Sequence, residues 1–412
     1  MKPGAQKRGI IARKNTFVLF LVFLAFPLMA HAGGLGIAAI LAVYSLIALL
    51  GFRPPHPRNI PSLIPAAIWA IMALLLWGLI STLWSPYQST NTLNNAQKLV
   101  VGVPLYLGCA AGIYAQHKYE RNIFPWLLVG ITAMLIGTIL TDLLTDYSLT
   151  LLVDPLAKGE TMVTRSADMI QNVGHAVSVL VLLAAPTGVY LWQKGGAGKI
   201  AAMFMVLLIG FASHKANASA AQLGLVLGLG FIGVATVKPK LALRSGFIMA
   251  GAALLFAPLL AYTATQLSPN IRAKLPFSWE ERVANWQTLY AKILEHPFIG
   301  HGFDAVRTFT ETHTIRGFEG RALVSLHPHN AGLHLWVEVG LVGVLLACIA
   351  LYLGGRRLTG SSGLPKPAMV AASGLVAATA VMASLSYGVW QDWWWAAIIF
   401  AGATISFIKE PT

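Results

Sequence analysis

The chain has 412 residues, of which 56% are hydrophobic and only 11% charged, with a mean hydropathy of +0.68 and a net charge of +14. Soluble domains carry about 25% charge, so a single water-facing core is excluded and lipid must cover the apolar surplus. The apolar runs are continuous and do not alternate with period two, so the spans are read as helices rather than barrel strands.

A basic stretch (Lys7, Arg8, Arg13, Lys14) opens the chain, followed by an apolar run and Ala30-His31-Ala32. This resembles a signal peptide, but a second apolar run follows directly after Gly33-Gly34, so a retained first helix in a short hairpin is expected. A membrane helix needs about 20 apolar residues. The predicted spans are 16–32, 35–51, 62–84, 96–115, 123–145, 172–192, 199–214, 218–237, 246–265, 331–353, 368–386 and 391–408. The expected fold is thus an all-α integral membrane protein of about twelve transmembrane helices. Its segments are 1–265 (nine spans), 266–330 (a large outer loop with short helices) and 331–412 (three spans).

With the N-terminus inside, 18 of the 29 lysines and arginines fall on inner segments, among them Lys2, Arg53, Arg58, Lys118 and Arg121, beside only two acids, Glu120 and Glu410. Short basic inner loops are what orientation requires, and both termini come out cytoplasmic. The same distribution excludes nucleic acid, because it forms no basic stripe with interleaved aromatics. Cys109 and Cys348 lie in apolar runs and read as small hydrophobes. Asp142 and Asp146, one turn apart, suit either a metal or proton site or a solvated helix end.

The outer segments are 146–171 and 266–330. In the longer one, Ser278-Trp-Glu-Glu281 has a capping-box pattern, with Ser278 as the N-cap. Val283, Trp286, Tyr290 and Ile293 follow at helical spacing, the helix stops before Pro297, and Gly300-His301-Gly302 turns the chain. The aromatic stripe suggests a helix lying along the membrane interface.

The densest chemistry is His327-Pro328-His329-Asn330, where this loop enters a span. Pro328 favours helix entry just after itself. His329 then stands at the outer lip as a group able to accept a proton. Glu338 lies about 13 Å further along the axis, where a carboxylate needs a partner. His334, one turn before it on the same face, is the candidate. Taken singly, His327 and His329 read equally well as loop and cap residues, and Glu338 as a lock between helices. Outer-side cations are the second signal: Arg165, Lys215, Arg282, Arg307, Arg316 and Arg321. Guanidinium forks suit phosphate oxygens; the plain alternative is pairing with neighbouring acids. No His-Glu-x-x-His, P-loop or nucleophile elbow is present, and no carboxylate cluster is placed for a divalent metal.

From Arg282 to Gly343 the chain resembles the O-antigen ligase and polymerase superfamily of bacterial membrane glycosyltransferases. The shared elements are Arg282-x-x-x-Trp286, the turn His296-Pro-Phe-Ile-Gly-x-Gly302, then His329-Asn330, then Glu338-x-Gly-Leu-x-Gly343. The resemblance implies a GT-C-like fold in the bacterial inner membrane with a site facing the periplasm. It implies transfer of O-antigen polysaccharide from undecaprenyl pyrophosphate to lipid A–core, metal-independent and inverting, with membrane lipids as surroundings. His329 matches the family histidine and general base, and Arg282 one pyrophosphate-binding arginine. The family's Ser-Arg pair is missing here, where Ser213-His214-Lys215-Ala-Asn217 stands. Lys215 or Arg165 is left for the second phosphate role. Asn330, Glu338, His334 and His327 are supporting residues, and Arg307, Arg316 and Arg321 are candidates for acceptor phosphates. The alternatives are an O-antigen polymerase, a protein O-oligosaccharyltransferase and, from another class, a lipid or solute transporter, which would place charges at mid-membrane on broken helices.

Overall fold

A computed structural model describes residues 3–50, 65–90, 93–116, 123–156, 161–322, 324, 327–361 and 363–410. The basic stretches at Arg53 and Arg58 and at Lys118 and Arg121 lie outside them. Each of the twelve predicted apolar segments coincides with a helix. In chain order these are α1 (Pro3–His31), α2 (Leu35–Leu49), α3 (Ala66–Ser81), α4 (Asn95–Gln116), α5 (Phe124–Leu144), a short α6 (Ser148–Val153), α7 (Met162–Trp192), α8 (Gly196–Lys215) and α9 (Ser219–Val237). Then come α10 (Pro239–Leu255), α11 (Ala257–Thr265), α12 (Pro269–Arg272), α13 (Phe277–Glu295), α14 (Ala331–Thr359), α15 (Lys366–Leu385) and α16 (Asp392–Thr404).

Length and apolarity qualify seven described helices to cross a membrane, or eight if α10 and α11, bent by 54°, count as one span. Asn15–His31, α2 and α3 are apolar but shorter. Twelve crossings are therefore not established: seven or eight described segments meet the length of a full crossing, and the predicted span 246–265 falls on the bent pair α10 and α11. The predicted α1–α2 hairpin forms, with Gly33 and Gly34 both at positive φ in the turn.

The inner layer consists of α7, α15 and α16. Val177 to Ala185 of α7 are almost wholly buried, as are Ala371, Ala377 and Met382 of α15 and Trp393 and Phe400 of α16. The contact of α9 with α15 is set by small residues: a side chain at Gly228 would come within 3.0 Å of the Gly374 carbonyl. Helices in lipid associate through such close backbone approach, because apolar burial no longer separates them from the solvent.

Four local expectations change. Asp142 does not end in solvent: it is fully buried, 2.9 Å from His31 Nε2, and it accepts from Leu149 N–H, Thr150 N–H and the Thr150 hydroxyl. It stitches α1 and α6 to the end of α5. Helix α13 starts at Phe277 after Pro276, and Ser278 makes no capping bond. Proline's fixed φ fits a helix entry, so the Ser-based cap is displaced by two residues. The stripe on α13 faces protein and not the lipid interface. Val283, Trp286, Leu289 and Ile293 pack with Ala257 and Ala261 of α11 and with Leu333 and Val337 of α14. Finally, the outer loop contains a β-hairpin, β1 (Thr312–Ile315) with β2 (Phe318–Ala322), as well as short helices. Its two turn residues, Arg316 (φ 49°) and Gly317 (φ 83°), carry the paired positive φ values that a tight hairpin turn needs.

Candidate functional site

The predicted Gly-x-Gly turn and Glu-x-Gly-Leu motif meet each other. Helix α14 is broken at Gly340 (φ 63°, ψ −167°). The turn after α13 docks into the break. His301 N–H donates to Val337 O (2.8 Å), Gly302 N–H to Glu338 O (2.8 Å), and Leu341 N–H to Pro297 O (2.9 Å). The backbone groups freed by the break are thus satisfied, as they must be near lipid. A side chain at Gly300 would lie 2.4 Å from the Glu338 carbonyl carbon, and one at Gly340 2.3 Å from Phe298 O. Both glycines are required by contact and by positive φ together. Trp77 and Trp84 around the end of α3 donate their indole N–H groups to Val339 O and Gly300 O and close this joint.

Glu338 is fully buried directly beneath it. It accepts from Trp390 Nε1 (2.7 Å) and Val306 N–H (3.2 Å), and His334 Nε2 stands 3.4 Å away. His334 Nδ1 accepts from Val389 N–H, which leaves Nε2 to carry the proton toward Glu338. The predicted His334–Glu338 pairing is therefore present, and two further donors complete it. Glu338→Gln should lower stability by about 1–3 kcal/mol, because the new amide NH₂ faces donors and strands a buried N–H. Unfolding of the purified protein in detergent followed by tryptophan fluorescence measures this. An unchanged midpoint would remove the lock.

His329 ends the loop in the left-handed region (φ 53°), just before Asn330, whose side chain caps α14 by accepting from Leu333 N–H (2.9 Å). Its Nδ1 lies 2.8 Å from Ser386 O. A carbonyl only accepts, so Nδ1 carries the hydrogen and the Nε2 lone pair is the basic one. Burial pushes the His329 pKa below the ordinary histidine value, the Ser386 bond opposes this, and the Arg282 charge pushes down further. His327 accepts from His329 N–H at Nδ1, stacks edge-on at 4.5 Å, and is held well below its ordinary value by burial. Trp286 donates to Pro328 O (3.2 Å) and so ties this turn to α13.

Arg282 lies on the first turns of α13, one turn before Trp286, whose indole is bonded to Pro328 beside His329. Its Nη1 donates to Ser278 O (3.0 Å) and its guanidinium lies over the Trp279 ring. Its Nε is buried and has no hydrogen-bond partner among the described residues. The Trp286–Pro328 bond thus ties the helix that carries Arg282 to the turn that carries His329, and among the described residues the Arg282 Nε–H and the His329 Nε2 lone pair make no hydrogen bond.

The other cations are placed differently. Arg316 pairs with Glu280 (2.7 Å) and Arg321 with Glu281 (2.5 Å), clamping the hairpin onto α13. Arg307 pairs with Asp304 (3.0 Å) and lies over Tyr87. Pairing with acids is thus the arrangement found for all three. Arg165 is bonded to Asp154 beside a polar cavity of about 280 Å³ that also includes Asp168 and Asn172. Lys215 is exposed at the end of α8 and makes no ion pair among the described residues. Neither Lys215 nor Arg165 is in contact with Arg282 or His329. No group of three potential metal ligands occurs among the described residues.

The segment between α15 and α16 supplies what the sequence reading missed. Ser386 orients His329, Trp390 holds Glu338, and Gln391 lies 3.4 Å from His327. A carbonyl contact leaves no trace in sequence. The dense aromatic run Trp390-Gln-Asp-Trp-Trp-Trp395 was the available signal.

Residues 201–348 match the family model described as O-antigen ligase, a range that holds Lys215, Arg282, His329 and Glu338 but neither Arg165 nor Ser386. Three Rickettsia proteins provisionally named polysaccharide ligases are similar. That of R. typhi is 24% identical over 251 residues, covering 54% of this chain and 60% of its own length. That of R. bellii is 25% identical over 218 residues (51% and 52%), and that of R. conorii 27% over 150 residues (35% and 35%). The chain therefore spans about 60% or less of each of these relatives. No solved structure matches it.

Proposed function

From the match of residues 201–348 to the O-antigen ligase family model and the likeness to polysaccharide ligases, we propose that the chain is an inner-membrane glycosyltransferase of that superfamily. It moves an O-antigen polysaccharide from undecaprenyl pyrophosphate to lipid A–core on the periplasmic face. The observation that carries this reading is Arg282 and His329 on two elements tied by the Trp286–Pro328 bond: a half-buried Arg282 with an unspent Nε–H, and an imidazole whose Nε2 lone pair is left basic.

In the proposed reaction, His329 Nε2 takes the proton from the acceptor hydroxyl as its oxygen attacks the anomeric carbon. The bond from that carbon to the pyrophosphate oxygen breaks, and the electron pair leaves with the pyrophosphate. Arg282 meets the charge that develops there, a preorganised term that often dominates a barrier. Lys215 or Arg165 adds a second cation, of which Arg165 is already bonded to Asp154. One base and a single displacement invert the anomeric centre, whereas a retaining route needs two carboxylates about 5 Å apart. The reaction as proposed uses no metal ion.

Transfer in liposomes tests this. The wild-type protein, given carrier-linked glycan and lipid A–core, should yield a banded product on a gel, with activity intact in EDTA. No product sinks the reading, and loss restored only by a divalent ion sinks its metal-free part. The pH profile gives a separate check. His329 must be neutral to act, and its pKa lies below the ordinary 6.5. The kcat/KM plateau should therefore extend below pH 6.5 before falling about tenfold per unit. A fall beginning above pH 7 would exclude His329 as the base.

A further inference from the structure

The loop from α3 toward α4 and the turn at Asp304 enclose a second cavity, of about 250 Å³. Its walls include Tyr87, Gln88, Ser89, Asn94, Gln97 and Asp304. All but Asp304 are neutral hydrogen-bonding groups, and among the described residues no lysine or arginine lines it. Arg307 reaches its edge over the Tyr87 ring, with its Nε spent on Asp304.

That lining discriminates between the parts of a lipid-linked glycan. Pyrophosphate calls for guanidinium or ammonium groups, and a polyprenyl chain for an apolar wall. A sugar ring calls for amides, hydroxyls and a carboxylate around one aromatic face. The volume is just under the roughly 300 Å³ at which drug-sized sites begin, which suits a single ring.

The polar groups are also held ready. Asp304 accepts from Arg307 Nε (3.0 Å) and Asn95 Nδ2 (2.9 Å), which fixes the carboxylate while leaving lone pairs for hydroxyl donors. Asn94 and Gln97 cap α4 reciprocally. Gln97 N–H donates to Asn94 Oδ1 (2.8 Å) and Asn94 N–H to Gln97 Oε1 (3.0 Å). Both side-chain oxygens are thus occupied and both NH₂ groups remain as donors. The cavity is joined to the Glu338–His334 pair: Phe303, which also lines it, packs on Trp390 at 4.7 Å, and Trp390 Nε1 and Val306 N–H both donate to Glu338.

We propose that this cavity is a saccharide subsite that takes one neutral sugar ring of a glycan reacting at His329. It rests on the transferase reading above. The ring belongs either to the donor polysaccharide or to the acceptor core, and the two are told apart by offering them separately.

The test is saturation-transfer difference NMR on the full chain in detergent. Its two probes are the delipidated oligosaccharide from the donor and that from the acceptor core. At least one should bind the wild type, and the same one should bind Gln88→Ala and Gln97→Glu about 3- to 10-fold more weakly, the range given by one lost neutral hydrogen bond. Gln88 makes no hydrogen bond among the described residues, and Gln97→Glu keeps the oxygen that caps α4, so both variants should fold. Failure of both probes to bind, or variants that bind like wild type, overturns the subsite. If the wild type transfers glycan while the variants bind normally, the transferase reading stands and only the subsite falls. If probe binding weakens as expected but the wild type never transfers, the cavity stands as a sugar site and the transferase reading falls.

Discussion

His329→Ala should abolish glycan transfer in liposomes, with a drop of about 10² to 10⁴-fold, the usual contribution of a positioned general base. The imidazole is not part of the core that holds the helices together. Its one polar anchor is the Ser386 carbonyl at 2.8 Å, and the cap of α14 is made by Asn330. The variant should therefore keep the wild-type circular dichroism and detergent stability while it loses turnover. His329→Gln offers a sharper control, since an amide can donate to Ser386 but cannot take the proton. Near-normal transfer by either variant would remove the general-base assignment.

Arg282→Ala should lower kcat by about 10² to 10³-fold, the scale found when one preorganised donor to a developing oxyanion is deleted. Arg282→Lys should recover only part of the loss, because an ammonium gives a point charge in place of a planar fork. The same variants carry a second readout. The Arg282 charge pushes the His329 pKa down. Removing it should shift the acid limb of the pH profile upward, while the lysine variant should leave that limb near the wild-type position. An Arg282→Ala protein with normal kcat and an unmoved limb would show that the guanidinium serves only to brace α13 through Ser278 and Trp279.

Several features of this protein were legible in the residues because they depend on local chemistry. Continuous apolar runs demanded helices in lipid, and the helices lie where the runs lie. Pro297 and the glycines after it ended α13 and turned the chain. Pro328 and Asn330 marked the start of α14, and Glu338 needed a partner one turn away, which His334 provides. The grouping of Arg282 with His329 came from the order and spacing of motifs, and both lie within residues 201–348, the range that matches the family model.

Local chemistry was silent about docking between distant segments. The aromatic face of α13 has the same pattern whether it lies on lipid or on protein, and only the position of α11 and α14 against it decided. The acids and arginines of the outer loop could have met phosphate; the hairpin brought Arg316 and Arg321 onto Glu280 and Glu281 instead. Gly340 reads as a small residue in a membrane helix, but it is the point where the helix opens to receive the turn from Pro297 to Gly302.

The sequence by itself thus determined the apolar solvent, the helices and the helix ends marked by proline, glycine and asparagine, because each of these follows from side chains within a few turns of one another. The tertiary structure alone decided which nitrogen of His329 is basic, which groups donate to Glu338 and which arginines pair with acids. Those properties are fixed by a carbonyl at Ser386, an indole at Trp390 and carboxylates on another element, and hydrogen-bond partners so far away in the chain become neighbours only once the helices pack.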